Sequence, residues 1–228
     1  MKSMMWADDF LPILERRLRR ERPGLAAQLH MAPDPRPDDK LYFEVADTCL
    51  RAGVLVLLYP NDGRLNVLLT RRTDRVLHHR AQISFPGGRQ EPGEDLCAAA
   101  LREAEEEVGI SPQDFQVLGE LTPLFIPPSN YCIFPFVAYS GRRLDFVLSD
   151  LEVAEILEVP IAHLTDPEYF HRETWTIREH EVSVPFFRFK QDKIWGATAM
   201  VLAELLAVLG DVDRMAVQVR GQRDQDAD

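Results

Sequence analysis

Four of the five residues from 103 to 107 are glutamates: Glu103, Glu105, Glu106 and Glu107. They sit in a stretch that reads as one helix over residues 94–108. Leu96, Ala100, Ala104 and Val108 recur at fours, and Leu101 widens the apolar stripe. Glu94 and Asp95 suit the positive helix start, and Gly109 suits the position just past the end. Glu103, Glu106 and Glu107 then share one face, while Glu105 points elsewhere as a solvated charge. Stacking like charges costs a helix about 0.2–0.5 kcal/mol per pair four apart. A hard divalent cation, which takes oxygen ligands, would offset that cost. The fold must therefore set an acidic helix face beside the Gly-rich turn Phe85-Pro86-Gly87-Gly88, where the backbone can approach a ligand closely.

The spacing around these residues is more specific than the charge run. Gly88 is followed after five residues by Glu94, and after seven more by Arg102-Glu103. Glu106-Glu107, one intervening residue and Gly109-Ile110 complete the pattern. This resembles the Nudix box, G-x5-E-x7-R-E-U-x-E-E-x-G-U, with U a bulky apolar residue. Every fixed position is met; one U position holds the small Ala104 and the other holds Ile110. A charged surface helix alone would not demand the glycines and the arginine at these offsets. Arg102 lies four before Glu106 and is placed to hold that carboxylate by a charge-assisted hydrogen bond.

The resemblance implies that Glu103, Glu106 and Glu107, with the carbonyl of Gly88, hold Mg2+ or Mn2+, and that Glu94 supports them. It implies hydrolysis of a diphosphate in which Glu103, Arg102 and Glu106 take part. It also implies an α/β/α sandwich around a mixed sheet, and homodimers are common in the family.

The text before the box narrows the substrate. Leu68, Leu69, Thr70, Arg72 and Phe85-Pro86-Gly87-Gly88 match the added signature of coenzyme A diphosphatases, L-L-T-x-R-[SA]-x3-R-x3-G-x3-F-P-G-G. Thr73, Leu77 and Ala81 depart from it. The missing arginine matters, because coenzyme A carries a 3′-phosphate; Arg71, Arg75 or Arg80 are the neighbouring candidates. His79 matches a histidine often seen in the family. Thr70, Arg71, Arg72 and His79 are thus the substrate-binding candidates. Glu152 and Glu155 fall where many Nudix enzymes place one more acid near the metals. Residues 121–130, 134–136 and 194–199 resemble the same family. The implied reaction converts coenzyme A or acyl-coenzyme A to 3′,5′-ADP and 4′-phosphopantetheine. The alternatives are another diphosphate, such as ADP-ribose or a dinucleotide, and a nucleotide-binding Nudix module without catalysis.

The remainder bounds the setting. The 228 residues suit one domain, with a core over about 45–210. A net charge of −11 argues against non-specific nucleic-acid or anionic-membrane binding. It leaves room for an anionic small molecule at a metal site. Cys49, Cys97 and Cys132 lack ligand spacing and read as buried thiols of a cytoplasmic protein. No apolar run is long enough to span a membrane, and the start lacks a signal-peptide core.

Strands are expected over 53–59 and 65–70, joined as a hairpin by Asn61-Asp62-Gly63. Further strands are expected over 115–124, 131–139, 155–159, 173–177 and 184–189. Helices are expected over 5–20, amphipathic and packed on the domain, and over 197–209. Residues 220–228 read as a disordered polar tail. This is an α+β layered pattern.

Overall fold

A computed structural model describes residues 10–35, 48–73, 82–177 and 179–225, with side chains to residue 212. Its centre is the expected hairpin. Strands β1 (Leu50–Asn61) and β2 (Arg64–Arg72) pair antiparallel across the Asp62-Gly63 turn. The pair grows into an eight-stranded mixed sheet. β1 takes β7 (Tyr131–Tyr139) in parallel on its other side, and β7 takes β5 (Gln116–Glu120) and β6 (Leu124–Ile126) antiparallel. β3 (Ile83–Ser84) and β8 (Val153–Pro160) pair with β2, and β4 (Gly87–Arg89) pairs with β1.

Strand alternation decides the layers. Leu55, Leu57 and Tyr59 of β1 meet Ala104 and Val108 of the acidic helix α3 (Leu96–Val108) on one face. Val56 and Leu58 face the other way, with Val67 and Leu69 of β2. There they pack on α1 (Phe10–Leu18) and the final helix α5 (Gly196–Gln225). The hydrophobic run of β1 is buried on both faces because helices cover both sides. α1 carries the amphipathic expectation through buried Phe10, Ile13, Leu14 and Leu18; residues 5–9 of that expectation lie outside the described residues.

Around this sandwich lie α2 (Gly24–Gln28) and α4 (Ile161–Leu164). A three-stranded sheet of β9 (Phe170–Ile177), β10 (His180–Phe189) and β11 (Asp192–Trp195) adds Phe187, Phe189 and Ile194 to the α5 core.

Three expectations need correction. The strand over 115–124 is two strands, split around residues 121–123. The polar tail from Arg220 is helical to Gln225, because α5 runs on past its apolar stretch; residues 226–228 lie outside the described residues. Cys49 and Cys132 form a disulfide rather than two thiols. Parallel pairing sets Arg51 opposite Cys132, which brings Cys49 within 5.8 Å, Cα to Cα, across 83 residues of sequence. That is ordinary disulfide spacing. Only Cys97 remains a free thiol, half-buried, so the cytoplasmic expectation loses the support it drew from free cysteines.

Candidate active site

Helix α3 starts where the Asp95 side chain accepts from the N–H of Ala98, at 2.8 Å. It stops at Gly109, whose φ of +69° turns the chain out of the helix. Between these ends it packs Ala99, Ala100, Ala104 and Val108 inward and turns its acidic face toward β4.

Arg102 organises that face. Its Nε and Nη2 donate to the two oxygens of Glu94 at 3.0 and 3.2 Å. Its Nη1 donates to Glu103 at 2.8 Å and to Glu106 at 3.3 Å, and its Nη2 also reaches the carbonyl of Arg89 at 3.2 Å. One guanidinium thus orients three carboxylates and ties the helix to β4. Glu94 is held below its ordinary range by Arg102 first and by the N–H of Glu91 second.

Glu103 and Glu107 are shifted the other way, by burial. Burial raises Glu103 above its ordinary value; Arg102 opposes this, and Glu106 and Glu152 add to it. Glu107 is only 2% exposed. Burial pushes it up to about 7, against the opposing Arg72 guanidinium and Gly87 N–H. Its Oε2 accepts from the Gly87 N–H at 3.2 Å and its Oε1 from Arg72 Nη1 at 3.2 Å.

Gly88 lies hard against this group. A Cβ on it would stand 2.3 Å from Cδ of Glu103, so any side chain there must displace the carboxylate. Gly88→Ala is therefore expected to lower hydrolytic rate by about 10²-fold, the order seen when one transition-state contact is lost. A steady-state assay checks this, and a variant within threefold of the parent would show that the close approach is incidental.

The chain after β7 closes the site. Val147 N–H donates to the carbonyl of Val108 at 2.9 Å, and Ser149 N–H to that of Glu107 at 3.0 Å. Thr73 N–H then donates to the carbonyl of Glu152 at 2.9 Å, and Thr73 Oγ1 to that of Leu151 at 2.8 Å. This brings Glu152 close enough for its charge to raise Glu103 and Glu107. Glu155 lies elsewhere, against Arg71.

The basic residues before the box divide. Arg71 and Arg72 point to opposite faces of β2, as strand alternation requires. Arg72 reaches the acidic helix. Arg71 donates to both oxygens of Asp192 at 2.8 and 2.6 Å and to Glu155 at 2.9 Å, clipping β2 and β8 to β11. Thr70 is buried, and its hydroxyl donates to the carbonyl of Ser84 at 3.3 Å. His79, Arg75 and Arg80 lie outside the described residues. The Gly87 N–H, the two-pronged Glu94 pair and the Arg72–Glu107 contact were not anticipated from sequence. The signal for the first was present in the Gly-Gly turn.

Among the described residues no three acidic, His or Cys side chains are yet disposed to hold a metal ion; Arg102 draws Glu103 and Glu106 while Arg72 draws Glu107. The donor set still suits a hard divalent ion: it is oxygen-only and clustered on one helix face, from buried Glu107 to exposed Glu106.

The arrangement gathers carboxylate oxygens and a glycine backbone on one side of the sheet. The NUDIX domain model matches residues 50–176. The uncharacterized Nudix hydrolase NudL of Photorhabdus laumondii is 34% identical over 179 residues, covering 78% of this chain and 91% of that protein. NudL of Yersinia pestis is 34% identical over 178 residues, covering 75% and 86%. A MutT/nudix family protein from Enterococcus faecalis superposes with a TM-score of 0.48 at 18% identity, over 70% of this chain and 61% of that one. The chain belongs to the Nudix family. It is a Nudix hydrolase with the Nudix fold, and such enzymes generally use divalent ions such as Mg2+ or Mn2+.

Glu107 gives this site a pH signature. Its folded-state value is raised from 4.5 to about 7, so the folded state takes up a proton more readily than the unfolded chain. Its contribution to stability is complete below about pH 4.5 and is lost as pH rises through 7. A bound cation stabilises the ionised form and offsets the loss. Millimolar Mg2+ or Mn2+ is expected to raise Tm more at pH 8 than at pH 5, measured by thermal shift. Equal rises at both values would count against Glu107 as a ligand.

Proposed function

We propose that the protein hydrolyses the diphosphate of coenzyme A or an acyl-coenzyme A with Mg2+ or Mn2+. The observation that carries this reading is the 3.2 Å contact between Arg72 and Glu107. It joins the coenzyme A-type signature to the Nudix box in one site. Glu103, Glu106, Glu107 and the Gly88 carbonyl would hold the ions. Bound there, divalent cations supply positive charge to the diphosphate oxygens and the leaving phosphate.

The residues do the rest. Arg102 fixes Glu103 and Glu106, and the Gly87 N–H fixes Glu107. Glu152 is better placed than Glu155 to take a proton, since Arg71 already holds Glu155. Water oxygen bonds to one phosphorus, the bond to the bridging oxygen breaks with its electron pair leaving on the second phosphate, and a carboxylate accepts the water proton. Val147 and Leu151 are 68% and 70% exposed beside this site, which suits a substrate carrying an apolar arm.

A second reading has its own support. Arg71 is committed to Asp192 and Glu155, so it is poorly free to replace the signature arginine absent at Leu77. That favours a diphosphate without a 3′-phosphate, such as ADP-ribose or a dinucleotide. Product chromatography after incubation with coenzyme A, acetyl-coenzyme A and ADP-ribose separates the two. Release of 3′,5′-ADP and phosphopantetheine supports the first reading. Cleavage of ADP-ribose alone rejects it.

A further inference from the structure

We propose that Arg72 and a divalent cation are alternative partners of the Glu107 carboxylate, and that exchange between them couples cation binding to substrate binding. The inference rests on the metal-site reading above. Its test reads cation affinity, which does not depend on which diphosphate is cleaved.

Three features make Arg72 an exchangeable partner. First, Glu107 is held from two sides by different kinds of group. The backbone N–H of Gly87 holds Oε2 at 3.2 Å, and the Arg72 guanidinium meets Oε1. The carboxylate keeps its orientation if the arginine departs. Second, among the described residues Arg72 is engaged lightly. It meets Glu107 through Nη1 at 3.2 Å. Arg71 grips two carboxylates through Nε and both Nη atoms, at distances down to 2.6 Å, and Arg102 contacts three acids and a carbonyl. Third, the Arg72 side chain is partly exposed at the last position of β2, while its own N–H stays fixed to the carbonyl of Gln82 at 3.1 Å. The side chain can leave without moving the strand.

A cation brought to Glu107 meets a positive charge already on that carboxylate, and two like charges at contact distance repel strongly in a desolvated site. One must give way. The displaced guanidinium has a planar fork suited to phosphate oxygens. Cation binding would thereby release a phosphate-binding group, and by linkage an anionic substrate that takes Arg72 would tighten the cation by the same factor.

Mn2+ binding to the full chain, without nucleotide, is followed at about pH 8.5, which limits competition from protons, by loss of the free-ion electron paramagnetic resonance signal. Arg72→Gln is expected to bind Mn2+ about tenfold more tightly than the parent, because a competing charge is gone. Arg72→Lys, which keeps the charge, is expected within about threefold of the parent, and Arg71→Gln, on the other strand face, within about twofold. At saturating Mn2+, Arg72→Gln is expected to raise KM for the diphosphate substrate about tenfold, with a smaller change in kcat. Unchanged or weaker Mn2+ binding by Arg72→Gln would overturn the proposal and leave Arg72 as an orienting group only. An unchanged KM would overturn the coupling. If the parent itself bound no Mn2+, the metal-site reading would fall first.

Discussion

Glu106→Gln is expected to lower cation-dependent hydrolysis by about 10³-fold while leaving the protein as stable as before, or slightly more so. The two halves of this expectation come from the same geometry. The Glu106 side chain is 55% exposed, so an amide there leaves no buried polar group unsatisfied. Its amide oxygen can still accept from Arg102, which now meets Glu106 at 3.3 Å. Removing one charge relieves the repulsion with Glu103, which adds to the upward push that burial gives the latter. Relief of one like-charge pair is worth about 0.2–0.5 kcal/mol. The cation loses a full negative charge from its donor set, and an amide oxygen does not replace it. Steady-state rates with Mg2+ or Mn2+, beside thermal melts, measure both. A variant that loses stability and activity together would mean Glu106 is part of the scaffold. A variant that keeps a tenth of the parent rate would remove Glu106 from the metal site.

The parts of this site that were legible in the sequence are those written in local spacing. Helix α3, its Gly109 stop and the shared face of Glu103, Glu106 and Glu107 follow from a 3.6-residue period and end signals, while its start falls at Leu96 after the Asp95 cap rather than at Glu94. The β1–β2 hairpin follows from a buried apolar run and a second strand either side of the Asn61-Asp62-Gly63 turn. What escaped was short or long-range. β3, β4 and β11 have two, three and four residues, too few to show a period. The Cys49–Cys132 disulfide depends on a parallel pairing that closes only when β7 arrives. Arg71 and Arg72 read together as one basic cluster. Only the placement of β11 and α3 on opposite faces of β2 shows that one serves the scaffold and the other the acidic site.

The same lesson explains why Glu204, which no motif marks, carries the second large prediction. It is fully buried in α5, among Met200, Val201, Leu202, Leu205 and Val208. Its oxygens accept from Gly24 N–H at 3.1 Å, Gln28 Nε2 at 2.8 Å, Thr122 N–H at 3.1 Å and Thr122 Oγ1 at 2.7 Å. A buried charge is tolerable only when its oxygens are served in this way. The carboxylate thereby pins the start of α2 and the turn between β5 and β6 to the last helix. Glu204→Ala leaves those donors buried without an acceptor, at about 1–3 kcal/mol each, non-additively. A net loss of about 4 kcal/mol is expected, within the range for breaking a buried charged network. For a chain of this size that is a fall in Tm of roughly 10 °C. Glu204→Gln is expected to recover less than half of the loss, because its NH2 would confront other donors. The folded fraction should retain the parent hydrolytic rate within about twofold, since α5 and α3 lie on opposite faces of the sheet. Urea denaturation and rates at 20 °C separate the two effects. A loss below about 1 kcal/mol for Glu204→Ala would mean that water serves the exposed donors and that this carboxylate does not tie α2 and the β5–β6 turn to α5.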